Sequence, residues 1–86
     1  FTGDHQWRYE LLLEQKAYCL LQAGHVEKAA YEFSKLLDRW LAHPELTSFL
    51  SLTYITEAAE GLLREKLWDR LHILEKRHEN SWLNGI

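Results

Sequence analysis

Along most of this chain the apolar residues recur at three- and four-residue steps, the spacing of one face of a helix. The clearest run is Val26, Ala29, Ala30, Phe33, Leu36, Leu37, Trp40 and Leu41. Glu27, Lys28, Glu32, Lys35, Asp38 and Arg39 fall on the opposite side. This predicts an amphipathic helix that ends near Ala42 and His43, because Pro44 disfavours helical geometry at the residue before it. An earlier run predicts a helix from about residue 5 to Ala23, with Asp4 as a cap. Its apolar residues make two stripes, Tyr9, Leu13, Ala17 and Leu20, then Trp7, Leu11, Tyr18 and Leu21. A helix apolar over so much of its circumference must be covered on more than one side. Gly24 lies between the two runs and has no Cβ to clash in the left-handed turn that ends a helix. The two predicted helices therefore form an antiparallel hairpin.

Downstream, Pro44 is comfortable in the first turn of a new helix, which the pattern carries to about Leu63. Its stripe is Leu52, Ile55, Ala59 and Leu62, with Leu46 and Phe49 upstream. Thr47, Ser48, Ser51, Thr53 and Thr56 lower its propensity, and an internal Gly61 costs about 1 kcal/mol relative to alanine, so packing must hold this helix. A break is expected at 64–66. A fourth helix follows over about Leu67 to His78, with Leu67, Leu71 and Leu74 inward and Asn80 and Ser81 ending it. Trp82, Leu83 and Ile86 make an apolar tail that should dock on the rest. The expectation is an all-α fold of four helices in two antiparallel hairpins.

The stretch Leu13 to Leu41 resembles a tetratricopeptide repeat, a helix–turn–helix unit with preferred residue types. With Gly24 as the turn glycine, Ala17 takes the small contact position and Leu20 the large apolar one. Ala29 is then the early alanine of the second helix, Phe33 the aromatic four later, and Leu13 opens the first helix. Lys16 departs from the pattern, standing where an apolar residue is usual, and Pro44 comes a few residues late. The motif covers about Glu10–His43, and a degenerate copy covers about Leu52–Gly85. In the copy Ala59 and Leu62 take the contact positions, while Lys66, Leu71 and Glu75 replace the glycine, alanine and aromatic. The implied turns, at Gly24 and Lys66, are 42 residues apart. That exceeds the roughly 34 of the repeat and implies longer helices in between.

The resemblance implies an inner groove lined by the first helix of each hairpin. Carried over by position, its residues are Leu11, Glu14, Tyr18, Leu21 and Gln22 from the first repeat. The second contributes Thr53, Thr56, Glu60 and Leu63. Tyr18 with Leu11 and Leu21 makes an apolar strip suited to an amphipathic helix or extended peptide, or else a strip of internal core beneath the third helix or Trp82. These positions lack the lysine and arginine clamp with which some family members hold an acidic C-terminus.

Composition narrows the function. At 86 residues the chain is one domain, and opening at Phe1 it reads as a segment of a longer protein. With 47% apolar and 13% aromatic residues it can build a core, though a thin one. A net charge of −3 with interspersed signs argues against nucleic acid, which would want a basic surface. No apolar run approaches the roughly 20 residues of a membrane span, and no signal-peptide pattern is present. The lone Cys19 allows no internal disulfide and suits a cytoplasmic setting, where it is expected as a small buried side chain.

Catalytic chemistry finds no support. His5, His25, His43, His72 and His78 form no metal-ligand pattern, so neither a metal nor a cofactor is implied. Glu57 with Glu60 reads as a solvated helix face, and the serines lack a matched base. The Lys76-Arg77-His78 run is flanked by Glu75 and Glu79, which weakens its field. What remains is a non-enzymatic module for protein–protein interaction, scaffold or chaperone-like, binding a peptide or helix. The alternatives are a self-associating segment of a larger helical-repeat protein, with Trp7 and Trp82 at its two ends, and a helical-repeat ligand- or partner-responsive domain of a transcriptional regulator.

Overall fold

A computed structural model describes the backbone of residues 2–84 and the side chains of residues 9–80. These residues form four helices and no strand: α1 (Thr2–Gln22), α2 (Val26–Ala42), α3 (Phe49–Ala58) and α4 (Gly61–Asn84). A short 3-10 turn, Pro44–Leu46, links α2 to α3. The fold is all-α, as the periodicity predicts.

Helix α2 is the centre. It packs against α1 along one flank and α4 along the other, while α1 and α4 do not meet. The three make a layer, and the molecule measures 40 × 34 × 18 Å. Helix α3 lies over one face of that layer. Its N-terminal Ser48 and Ser51 sit beside Glu10 and Glu14 of α1 and Leu36 and Trp40 of α2. Phe49 stacks on His78 of α4, with ring centroids 4.2 Å apart.

The apolar stripe of α2 becomes the core. Ala29, Ala30, Phe33, Leu36, Leu37 and Trp40 are all buried. They meet Leu13 and Ala17 from α1, Leu52 and Ile55 from α3, and Leu63, Leu67, Leu71 and Leu74 from α4. Small residues at Ala17, Ala29 and Ala30 let the helix backbones approach, and the leucines fill the spaces between them. The α1–α2 turn closes as a Schellman motif: the His25 N–H donates to the Leu20 carbonyl at 2.9 Å and the Gly24 N–H to Leu21 at 3.0 Å. Gly24 has φ +86°, the left-handed conformation that a Cβ opposes.

The C-terminal half departs from the expected boundaries. Pro44 opens the 3-10 turn, and α3 starts five residues later, at Phe49. Its cap is Ser48, whose hydroxyl accepts from the Ser51 N–H at 3.3 Å. The break expected at 64–66 falls instead at Ala59–Glu60, where Ala59 is extended. Gly61, at φ +53°, is the turn glycine rather than a helix-internal cost, and Lys66 lies inside α4. The new helix resets the phase of the stripe. Leu63 therefore points into the core and Leu62 is 46% exposed. Helix α4 runs on through Asn80 and Ser81. The expected docking of Trp82, Leu83 and Ile86, like the role of Trp7, lies outside the described side chains. Asp4 falls within α1, which begins at Thr2, so it does not cap that helix.

Two polar assignments are also corrected. Glu32, placed on the solvated side by the pattern, is buried at 5% exposure. Lys16 Nζ reaches it at 3.3 Å and Lys35 Nζ at 3.2 Å. Burial alone would raise the Glu32 pKa, but these two ammonium groups outweigh it and hold the carboxyl below its usual range. The family-atypical Lys16 is thus the cation that compensates a buried carboxylate across the α1–α2 seam. Cys19, expected inside, is exposed, because Leu13, Ala17, Leu20 and Leu21 take the packed side of α1.

Candidate interaction groove

Among the described residues no element covers the space between α1 and α3, which do not pack on each other. Leu36 and Trp40 of α2 form its floor. One wall is α1, with Leu11, Glu14 and Tyr18. The other is α3 with its cap, where Ser48 and Ser51 line the space and Tyr54 follows Ser51 three residues on, along the same flank.

Tyr18 is the central side chain. Its ring meets Phe33 edge-on, with centroids 5.3 Å apart and planes at 79°. Its hydroxyl is enclosed and has no hydrogen-bond partner among the described residues. Burial pushes the Tyr18 pKa up to about 12, with smaller contributions from the Glu14 carboxylate and from the Tyr54 phenol. Glu14 of α1 and Tyr54 of α3 thus both lie close enough to act on the same tyrosine. The rim stays apolar and open, with Leu11 36%, Tyr54 53% and Leu50 67% exposed.

At one end of the groove the Glu10 carboxylate joins α1 to α2. The Trp40 indole N–H donates to it at 3.5 Å and Arg39 Nε approaches its other oxygen at 3.5 Å, both long contacts. Arg39 also lies over the Tyr9 ring, 5.0 Å from its centroid. The described residues contain no group of three or more His, Cys, Asp or Glu able to hold a metal. No described helix is long and apolar enough to cross a membrane.

The structure brings some of the expected groove residues together and disperses others. Leu11, Glu14, Tyr18 and Leu21 lie on one side of α1, with Leu21 half-buried against the core. Gln22 is exposed at the end of that helix. Leu63 is buried at 1% exposure in the core on α4 and does not line this groove, a consequence of the reset at Gly61. Glu60 is in the α3–α4 joint. Thr53 and Thr56 occupy a different flank of α3 from Ser51 and Tyr54, and their hydroxyls bond back to the Phe49 and Leu52 carbonyls, both at 2.9 Å. The missed groove residues are Ser48, Ser51 and Tyr54. Their three-residue spacing was visible, but only the true start of α3 gives it a direction.

Comparison of the chain with known protein families, with curated proteins and with solved structures found no match.

Proposed function

We propose that this chain is a non-enzymatic protein-interaction module, scaffold or chaperone-like, that holds an amphipathic helix or peptide between α1 and α3. The observation that carries this reading is the uncovered rim of Leu11 and Tyr54 beside the half-buried Tyr18, above a floor of Leu36 and Trp40. An apolar groove of this kind is the usual seat of a helix with an apolar face. The enclosed, unpaired Tyr18 hydroxyl supports it further, since a carbonyl or carboxylate arriving with a partner would satisfy it. Glu10 and Glu14 at the wall favour a partner with basic residues flanking its apolar face. The tetratricopeptide-like reading draws support from the two left-handed glycines, Gly24 and Gly61. They stand 37 residues apart, near the roughly 34 of that repeat. A cytoplasmic setting fits the unpaired Cys19.

The test is fluorescence anisotropy with a labelled Lys/Leu amphipathic peptide. Tyr54→Asp and Leu11→Asp change exposed side chains, so the fold should survive, and each should weaken binding about tenfold. Tyr18→Asp and Leu21→Asp should abolish it. Unchanged binding by a folded Tyr54→Asp variant ends the groove reading.

A second reading is self-association within a longer helical array. It is favoured by the apolar outer flanks of the layer, Leu12 of α1 at 64% exposure and Leu62 and Ile73 of α4 at 46% and 43%. Sedimentation at high concentration separates the two, since a monomer supports the peptide binder and a dimer supports the array.

A further inference from the structure

The face of the layer opposite α3 differs in charge from the chain as a whole. Three shallow depressions flank α2 there. One lies between α2 and α4, lined by Glu27, Tyr31, Ser34, Lys66 and Arg70. The second, toward α1, is lined by Lys16, Leu20, Lys28, Tyr31 and Glu32. The third, at the C-terminal end of α2, is lined by Tyr9, Lys35, Asp38 and Arg39. These residues include six of the nine lysines and arginines whose side chains are described, but only three of the twelve described aspartates and glutamates. The face is therefore cationic in a chain whose net charge is −3.

Two of the three acids on this face are already engaged, and Glu27 makes no ion pair among the described residues. Glu32 is held by Lys16 and Lys35, and Asp38 accepts from Arg70 Nε at 2.7 Å. Lys28 and Lys66 are exposed and make no ion pair among the described residues. They stand on either side of Tyr31, which is 63% exposed with the Lys35 ammonium 4.6 Å from its ring centroid. An aromatic side chain between two free ammonium groups offers one apolar contact and two anion contacts within a short span.

We propose that this face of α2 is a second docking surface, for an acidic polypeptide segment that seats an apolar side chain on Tyr31 and carboxylates on Lys28 and Lys66. A polypeptide fits better than a phosphate polymer. Glu27, Glu32 and Asp38 interrupt the cations, so an unbroken row of phosphates would meet repulsion along its track, whereas a peptide can set its acids between them. The surface is separate from the groove beneath α3 and is expected to select the opposite charge.

Anisotropy with a synthetic Glu/Asp peptide carrying a central Phe tests this on the full chain. The comparators are its Lys-for-Glu counterpart, oligothymidylate, and phosphatidylserine-containing vesicles. The acidic peptide should bind saturably and more weakly as salt rises. Lys28→Glu with Lys66→Glu should weaken it at least about tenfold without changing the thermal melt, and Tyr31→Ala several-fold. If the charge reversal lowers the melt, Lys28→Gln with Lys66→Gln is read instead, with a loss of about threefold expected. Leu11→Asp, in the groove, should leave this binding unchanged. The proposal is overturned if the acidic peptide binds no better than its basic counterpart, or if folded lysine variants bind it as wild type does. It is also overturned if oligothymidylate or vesicles bind as tightly and lose binding in the same variants.

Discussion

Helices α2 and α3 are both held by tertiary packing, but to very different depths. Helix α2 has neighbours on both flanks and α3 above it, and it buries six large or small apolar side chains along one continuous stripe. Helix α3 has 10 residues and buries two, Leu52 and Ile55. Three serine and threonine hydroxyls bond to carbonyls or amides within or beside α3, which satisfies those groups but adds no long-range contact. One helix is defined by its surroundings, and the other rests on them. The groove wall is thus built from the element with the least to lose on opening.

The largest effect should come from the centre. Phe33→Ala removes a fully buried ring beneath Tyr18 and should cost about 3–5 kcal/mol, with α1, α2 and α4 losing structure together in urea. For α3 the expectation differs in kind. Ile55→Ala should cost about 2–5 kcal/mol at the site. In hydrogen exchange the α3 amides should then open while α2 amides stay protected, and simultaneous opening of both would erase the distinction between them. Ser48→Ala should cost about 1 kcal/mol and speed exchange in the first turn of α3 alone.

Two smaller effects are read by titration. The Glu32 carboxyl is held below its ordinary range in the fold, so its contribution is present at neutral pH and fades as pH falls through that lowered value. Glu32→Gln should flatten the acid limb of a melting-temperature curve across that range. The raised Tyr18 pKa has the opposite sign. The neutral phenol is favoured in the fold, and its contribution is lost as pH rises from about 10 to about 12. Ultraviolet titration should show a late phenolate that Tyr18→Phe removes.

The same contrast governs what could be read from the sequence. The stripe of α2 survives intact because every residue on it meets a neighbour at the expected angle. The boundary of α3 does not, because Ala59 and Leu62 continue a plausible three-residue step across a real break. The signal for the break was present in Gly61 and in the run Leu63, Leu67, Leu71 and Leu74, which begins its own phase at Leu63. Glu32 and Lys16 were not legible in the same way. Lys16 looks anomalous alone and Glu32 looks ordinary, and only the approach of α1 to α2 makes them an ion pair. Half of the groove was legible, the wall on α1, because a helix that is apolar over most of its circumference leaves a stripe unspent. The α3 wall depended on a start point that local propensity misplaced.

Because α1 and α4 make no contact among the described residues, α2 is the single beam that joins them. Phe33 and Trp40 look out from one side of that beam and Tyr31 and Lys35 from the other. Tilting or rolling it to welcome a guest beneath α3 would swing the tyrosine and its lysines by the same angle on the reverse. Only such a movement of the beam would let occupancy above be felt below, and a guest that leaves it still would leave the two faces independent.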